Sequence, residues 1–104
     1  MKKGVYVKNA LKIAKNYYIS LRYLRDNNII GEIHLSDKEH SILKRINDIM
    51  MLAPKKYLII YSEIYVKGKN TDAMVSLLGC CRKIIYNLKK ELEQYLERNL
   101  KELV

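Results

Sequence analysis

Proline occurs once in the 104 residues and glycine four times. Chain-breaking residues this sparse exclude a many-turned β-sandwich. The abundance of leucine, isoleucine, lysine and glutamate favours long helices joined by short turns. No run approaches the ~18 consecutive apolar residues of a membrane span. The N-terminus lacks the apolar stretch and small-residue cleavage site of a secretory signal, so a cytoplasmic location is expected. The two cysteines, Cys80 and Cys81, are adjacent, and Cα atoms ~3.8 Å apart are too close for ordinary disulfide geometry. Reduced thiols are expected. Together with His34 and His40 they lack the paired spacing of a zinc site, so no metal is expected. Acidic residues are also in deficit: eleven Asp and Glu face twenty Lys and Arg, a formal charge of +9. Such an excess concentrates polyanions around the chain, and nucleic acid is the first partner it suggests.

What is present fits one soluble folded unit. The length accommodates a single compact domain spanning 1–104. An apolar share of 49% beside 30% charged residues is the balance of a globular protein, not of a disordered tail. No internal repeat or flexible linker divides the chain. An N-terminal helical part, 1–53, is expected to lead into a C-terminal part, 54–104.

Over Val5 to Asp26, apolar residues at Val7, Ala10, Leu11, Ala14, Tyr18, Leu21 and Leu24 share one side of a helix. Lys8, Lys12, Lys15 and Arg22 form a second stripe beside them. The first 25 residues hold seven basic side chains and no acidic one. This stripe suits a phosphate backbone and equally suits the solvated face of a bundle helix. Asn27 and Asn28 can end the helix, because asparagine tolerates left-handed backbone. Ser36 stands three residues before Glu39, the spacing of a capping box, and predicts a second helix starting there. Leu35, Ile42, Leu43, Ile46, Ile49 and Met50 lie on one face of it, and Pro54 sets its end near Leu52.

The run from Tyr57 to Val66 is apolar almost all round and rich in β-branched and aromatic residues. A helix is preferred to a strand there, since Pro54 suits a first helical turn and no comparable run exists to pair with it. Such a helix is expected at the centre of the fold.

Gly68 closes that helix. Asn70 or Thr71 can cap a short one from Asp72 to Leu78, and after Gly79 a longer helix runs from about Arg82 toward the C-terminus. Two helices joined by so short a turn cross steeply, which leaves the second projecting far enough to enter a major groove. Met74, Val75 and Leu78 are expected in the angle between them with Ile85 and Leu88; Arg82, Lys83, Tyr86, Asn87 and Lys90 are expected to face outward. Cys81, at the cap position, has only a weakly accepting thiol, which costs the helix start roughly 1 kcal/mol relative to serine. Four basic residues and no acidic one lie between Arg82 and Lys90, whereas Glu91 to Glu102 contains four glutamates. Such an asymmetry fits a helix whose first turns meet DNA and whose remainder meets protein or water.

The stretch IIYSEIYVKGKNTDAMVSLLGCCRKIIYNLKKEL resembles the C-terminal part of ArpU-type phage transcriptional regulators. More broadly it is similar to the DNA-binding region of sigma factors. The features that carry the resemblance are Gly68, Thr71 with Asp72, Leu78 with Gly79, and the basic run Arg82 to Lys90. It covers about forty residues at the C-terminus. It implies a sigma-like helix-turn-helix, phage or prophage origin, and control of late genes.

The expected fold is therefore all-α, a small bundle of about five helices with a C-terminal helix-turn-helix. The expected function is sequence-specific transcriptional regulation on double-stranded DNA. Arg82, Lys83, Tyr86 and Asn87 would read bases, since arginine and lysine suit guanine edges and asparagine suits adenine. Lys69, Thr71 and Lys90 would hold phosphates. The alternative is a basic interaction module docking on an acidic partner such as RNA polymerase. No enzyme and no cofactor are expected, because there is no glycine-rich phosphate loop and no plausible Ser, His and Asp set. Leu92, Leu96, Leu100 and Leu103 continue an apolar stripe beyond the basic run. Either the first helix or a second copy of the chain must cover it, the latter predicting a two-half-site operator.

Overall fold

The computed structural model describes residues 3–100. They form five helices: α1 (Lys3–Asp26), α2 (Asp37–Met51), α3 (Lys55–Ile60), α4 (Thr71–Leu78) and α5 (Arg82–Asn99). There is no strand among them, and α3 runs directly into π-helical turns over Tyr61–Val66. The protein is a small all-α bundle. No helix of the described residues is long and apolar enough to cross a membrane.

Local chemistry sets the boundaries. Asn28 takes φ +53° just past α1, where the Asn27 side-chain amide donates to the Tyr23 carbonyl at 2.9 Å. The Ser36 and Glu39 capping box forms both of its hydrogen bonds, Glu39 N–H to Ser36 Oγ at 3.1 Å and Ser36 N–H to Glu39 Oε1 at 3.0 Å. Leu52 ends α2, and Pro54 stands immediately before α3.

One apolar cluster draws on every helix. Val7, Ala10, Leu11 and Ala14 come from α1, and Ile42, Leu43, Ile46 and Met50 from α2. The α3 and π segment sits centrally, with Tyr57, Ile60, Tyr61, Ile64 and Tyr65 buried, as its apolar circumference requires. Asn47 of α2 adds a polar node: Tyr61 Oη donates to its Oδ1 at 2.9 Å, and its Nδ2 donates to Tyr18 Oη at 3.2 Å. Burial, with Tyr18 nearby, pushes the Tyr61 hydroxyl well above the ordinary tyrosine range.

Leu92, Leu96 and Leu100 are buried inside the molecule, where α5 packs on both α1 and α3. Of the two covers open for this stripe, the chain's own helices provide it; Leu103 lies outside the described residues. Leu21 departs from expectation. It is exposed, together with Ile19 and Tyr23, on the last turns of α1.

Candidate nucleic-acid interface

The entry to α4 is fixed from below by two buried or half-buried side chains. Glu63, inside the π-helical turns, is the one buried charged residue among those described. Its Oε1 meets Lys69 Nζ and its Oε2 meets Lys67 Nζ, each at 2.9 Å. Its backbone carbonyl also accepts the Lys69 N–H at 2.9 Å. Hydrogen bonds from Lys69 and Lys67 hold the Glu63 carboxyl below its ordinary range, against the opposing effect of burial. The second support is Arg22 of α1, whose guanidinium donates to the Val66 carbonyl, an otherwise orphaned group at a helix end.

Gly68 follows with φ +81°, and a Cβ there would stand 2.5 Å from the Arg22 guanidinium. The backbone conformation favours glycine, and a Cβ would push the end of the Arg22 side chain away from its place. Asn70 then caps α4, its Oδ1 accepting the Ala73 N–H at 2.8 Å. At the far end Gly79 adopts φ +64°, and its N–H donates to the Val75 carbonyl at 2.9 Å, a left-handed helix stop. Cys80 and Cys81 complete the turn. Cys81 has extended backbone at the start of α5 and makes no side-chain capping bond, in keeping with a weakly accepting thiol.

Met74 and Ile85 are both fully buried where α4 packs on α5, and Val75 and Leu88 are half-buried beside them. Leu78 is not among them. It is 39% exposed, because Leu77 and Leu78 stand at the end of α4 beside a shallow groove lined also by Leu58 and Ile59.

The outward face of α5 carries Arg82, Lys83, Tyr86, Asn87 and Lys90, all exposed. Lys69 and Thr71 are half-buried at the mouth of α4, and the start of α4 meets the start of α5 through Asp72 and Arg82. Two already have partners. Lys69 is tied to Glu63, and Arg82 donates to Asp72 of α4. The Arg82 pair is exposed on both sides and exchanges readily for another anion, since such pairs contribute little. The ammonium of Lys69 is held more firmly. The cationic face ends at Glu91, which accepts from Tyr57 Oη at 3.3 Å and meets Lys56 Nζ at 3.4 Å, fastening α5 to α3.

Glu63, Arg22 and Asp72 as organisers of this end were not apparent from sequence, since each acts on a residue brought close by the fold. A lone glutamate in the apolar run 57–66 was the one available signal. Among the described residues no cluster of His, Cys, Asp and Glu can hold a metal ion.

No family model, curated protein or solved structure matches the chain.

Proposed function

We propose that the protein is a sequence-specific double-stranded DNA-binding transcriptional regulator that presents the first turns of α5 to a major groove. The observation carrying this reading is the division of α5 over Arg82 to Lys90. Ile85 is fully buried where α5 packs on α4, while Arg82, Lys83, Tyr86, Asn87 and Lys90 are all exposed along the rest of the helix circumference. A short α4, a three-residue turn and a longer α5 with exposed cations in its first turns suit a helix that lies in a groove about 12 Å wide. Arg82 and Lys83 suit guanine edges, Asn87 suits adenine, and Tyr86 offers a ring to a thymine methyl. Thr71 and Lys90 supply backbone contacts, and Lys69, still held by Glu63, offers a remaining ammonium N–H to a phosphate. The resemblance of Ile59 to Leu92 to ArpU-type regulators adds late-gene control in a phage or prophage to the proposal.

Selection of bound duplexes from a randomised pool tests it. A reproducible enriched motif, bound more tightly than unrelated duplex by ~4 kcal/mol or more, is expected. A pool that never converges, with retention abolished equally by any duplex competitor, contradicts sequence-specific recognition.

A further inference from the structure

Three lysines of α1 stand apart from every ion pair among the described residues. Lys8, Lys12 and Lys15 are spaced four and three residues apart, so they share one helix face, and all three are exposed. With Leu11 and Tyr65 they line a cleft whose far wall is Glu93 of α5. Glu93 is the only carboxylate there, so the cleft carries an excess of two positive charges by its lining residues. A merely solvated bundle face is better served by interspersed signs, and like charges gathered on one side repel until an anion joins them.

The position of the cleft relative to α5 identifies the anion. Arg82, Tyr86, Lys89 and Glu93 follow one another at spacings of four, three and four, which places them along one edge of α5. That edge begins among the proposed base-reading residues and ends in the lysine cleft. From Tyr86 to Glu93 is about 10 Å of helix, and the lysine row from Lys8 to Lys15 is equally long. A major groove about 12 Å wide is walled by phosphate strands, so a helix seated in it brings its flanking edge against one wall.

We propose that Lys8, Lys12 and Lys15 form a second DNA contact, gripping the phosphate strand beside the groove that α5 enters. The inference rests on the proposed function and assigns the substrate contact of a different helix. Glu93 acts within it as a restraint, subtracting from the attraction of the cleft. An anionic membrane is the poorer occupant, because a helix lying on a bilayer needs a free apolar face, and Val7, Ala10, Leu11 and Ala14 are buried within the protein.

The test measures affinity for a short fluorescein-labelled duplex of mixed sequence by anisotropy across a KCl series. The K8A/K12A/K15A variant is expected to lower the slope of log K against log salt by about 2.7, or 0.9 for each phosphate lost. Its deficit relative to wild type then grows by about that many decades for each tenfold dilution of salt. Glu93→Gln is expected to tighten binding roughly fivefold at low salt and supplies an independent readout if the triple variant folds poorly. Unchanged slope and affinity in both variants, with binding still lost in R82A/K83A, overturns the α1 contact and leaves the α5 reading intact. Loss in the α1 variant with R82A/K83A unaffected supports the α1 contact as a phosphate grip separate from base reading. Failure of the wild type to bind any duplex at low salt overturns both.

Discussion

The Arg22 guanidinium from α1 donates to the Val66 carbonyl, and the next glycine along, Gly68, folds directly over it. The end of the first helix thereby fixes the place where the chain turns into α4. Gly68→Ala is expected to be destabilising twice over, through a left-handed backbone costing about 1–2 kcal/mol and through the close approach of the new Cβ to Arg22. In an R22A background only the first cost remains. Urea denaturation of the four proteins in this cycle checks the coupling; identical Gly68→Ala penalties in both backgrounds contradict it.

The angle between α4 and α5 depends on Met74 and Ile85, both wholly removed from solvent. Met74→Ala or Ile85→Ala is expected to cost about 2–5 kcal/mol, the range for a large side chain deleted from a packed interior. Leu78→Ala, at an exposed position, is expected to cost far less. Thermal melts of the three variants separate these outcomes.

Cys81 occupies the cap of α5 with suitable extended backbone and no capping bond. Cys81→Ser places a better acceptor over the Ile84 N–H and is expected to stabilise the protein by about 0.5–1 kcal/mol. For a domain of this size that raises Tm by roughly 4 °C. An unchanged or lowered Tm excludes the cap as the reason.

Two titrations bracket the stability profile. Burial, and the charge of Glu93, push the Tyr65 hydroxyl up from 10.0 to about 12. Because the folded value is the higher, this contribution is complete below pH 10 and fades as pH rises toward 12. It amounts to on the order of 3 kcal/mol. Tyr65→Phe is expected to flatten that alkaline decline relative to wild type, with lysine titration common to both. Glu63 has the opposite sign: its folded value lies below 4.5, so its contribution is present above that pH and disappears as pH falls through the folded value. Glu63→Gln is expected to be less stable at neutral pH and to show a shallower acid decline. Chemical denaturation at a series of pH values reads both.

Much of this fold is written locally. Ser36 with Glu39, Asn28, Pro54, Gly68 and Gly79 each act on backbone within a few residues, so the helix boundaries they mark could be read in advance. The π-helical turns could not. Lys67 N–H bonds to the Ser62 carbonyl five residues back, a register that leaves no periodic trace where nearly every side chain is apolar. Exposure of Leu21 and Leu78 was likewise illegible, because it depends on how neighbouring helices pack. At the candidate site, the outward set on α5 followed from helical spacing. The pairing of Arg82 with Asp72 and of Lys69 with Glu63, and the meeting of the α1 lysines with Glu93, required the tertiary arrangement.

The proposed site of DNA contact is the outward face of α5. Backbone amide spectra of the isotope-labelled protein, recorded while duplex DNA is added, address it residue by residue. The largest shifts are expected at Arg82, Lys83, Tyr86, Asn87 and Lys90, with Thr71 next and the exposed Met51 and Leu52 unmoved. Shifts centred on the far side of the bundle, or none at saturating DNA, would contradict it.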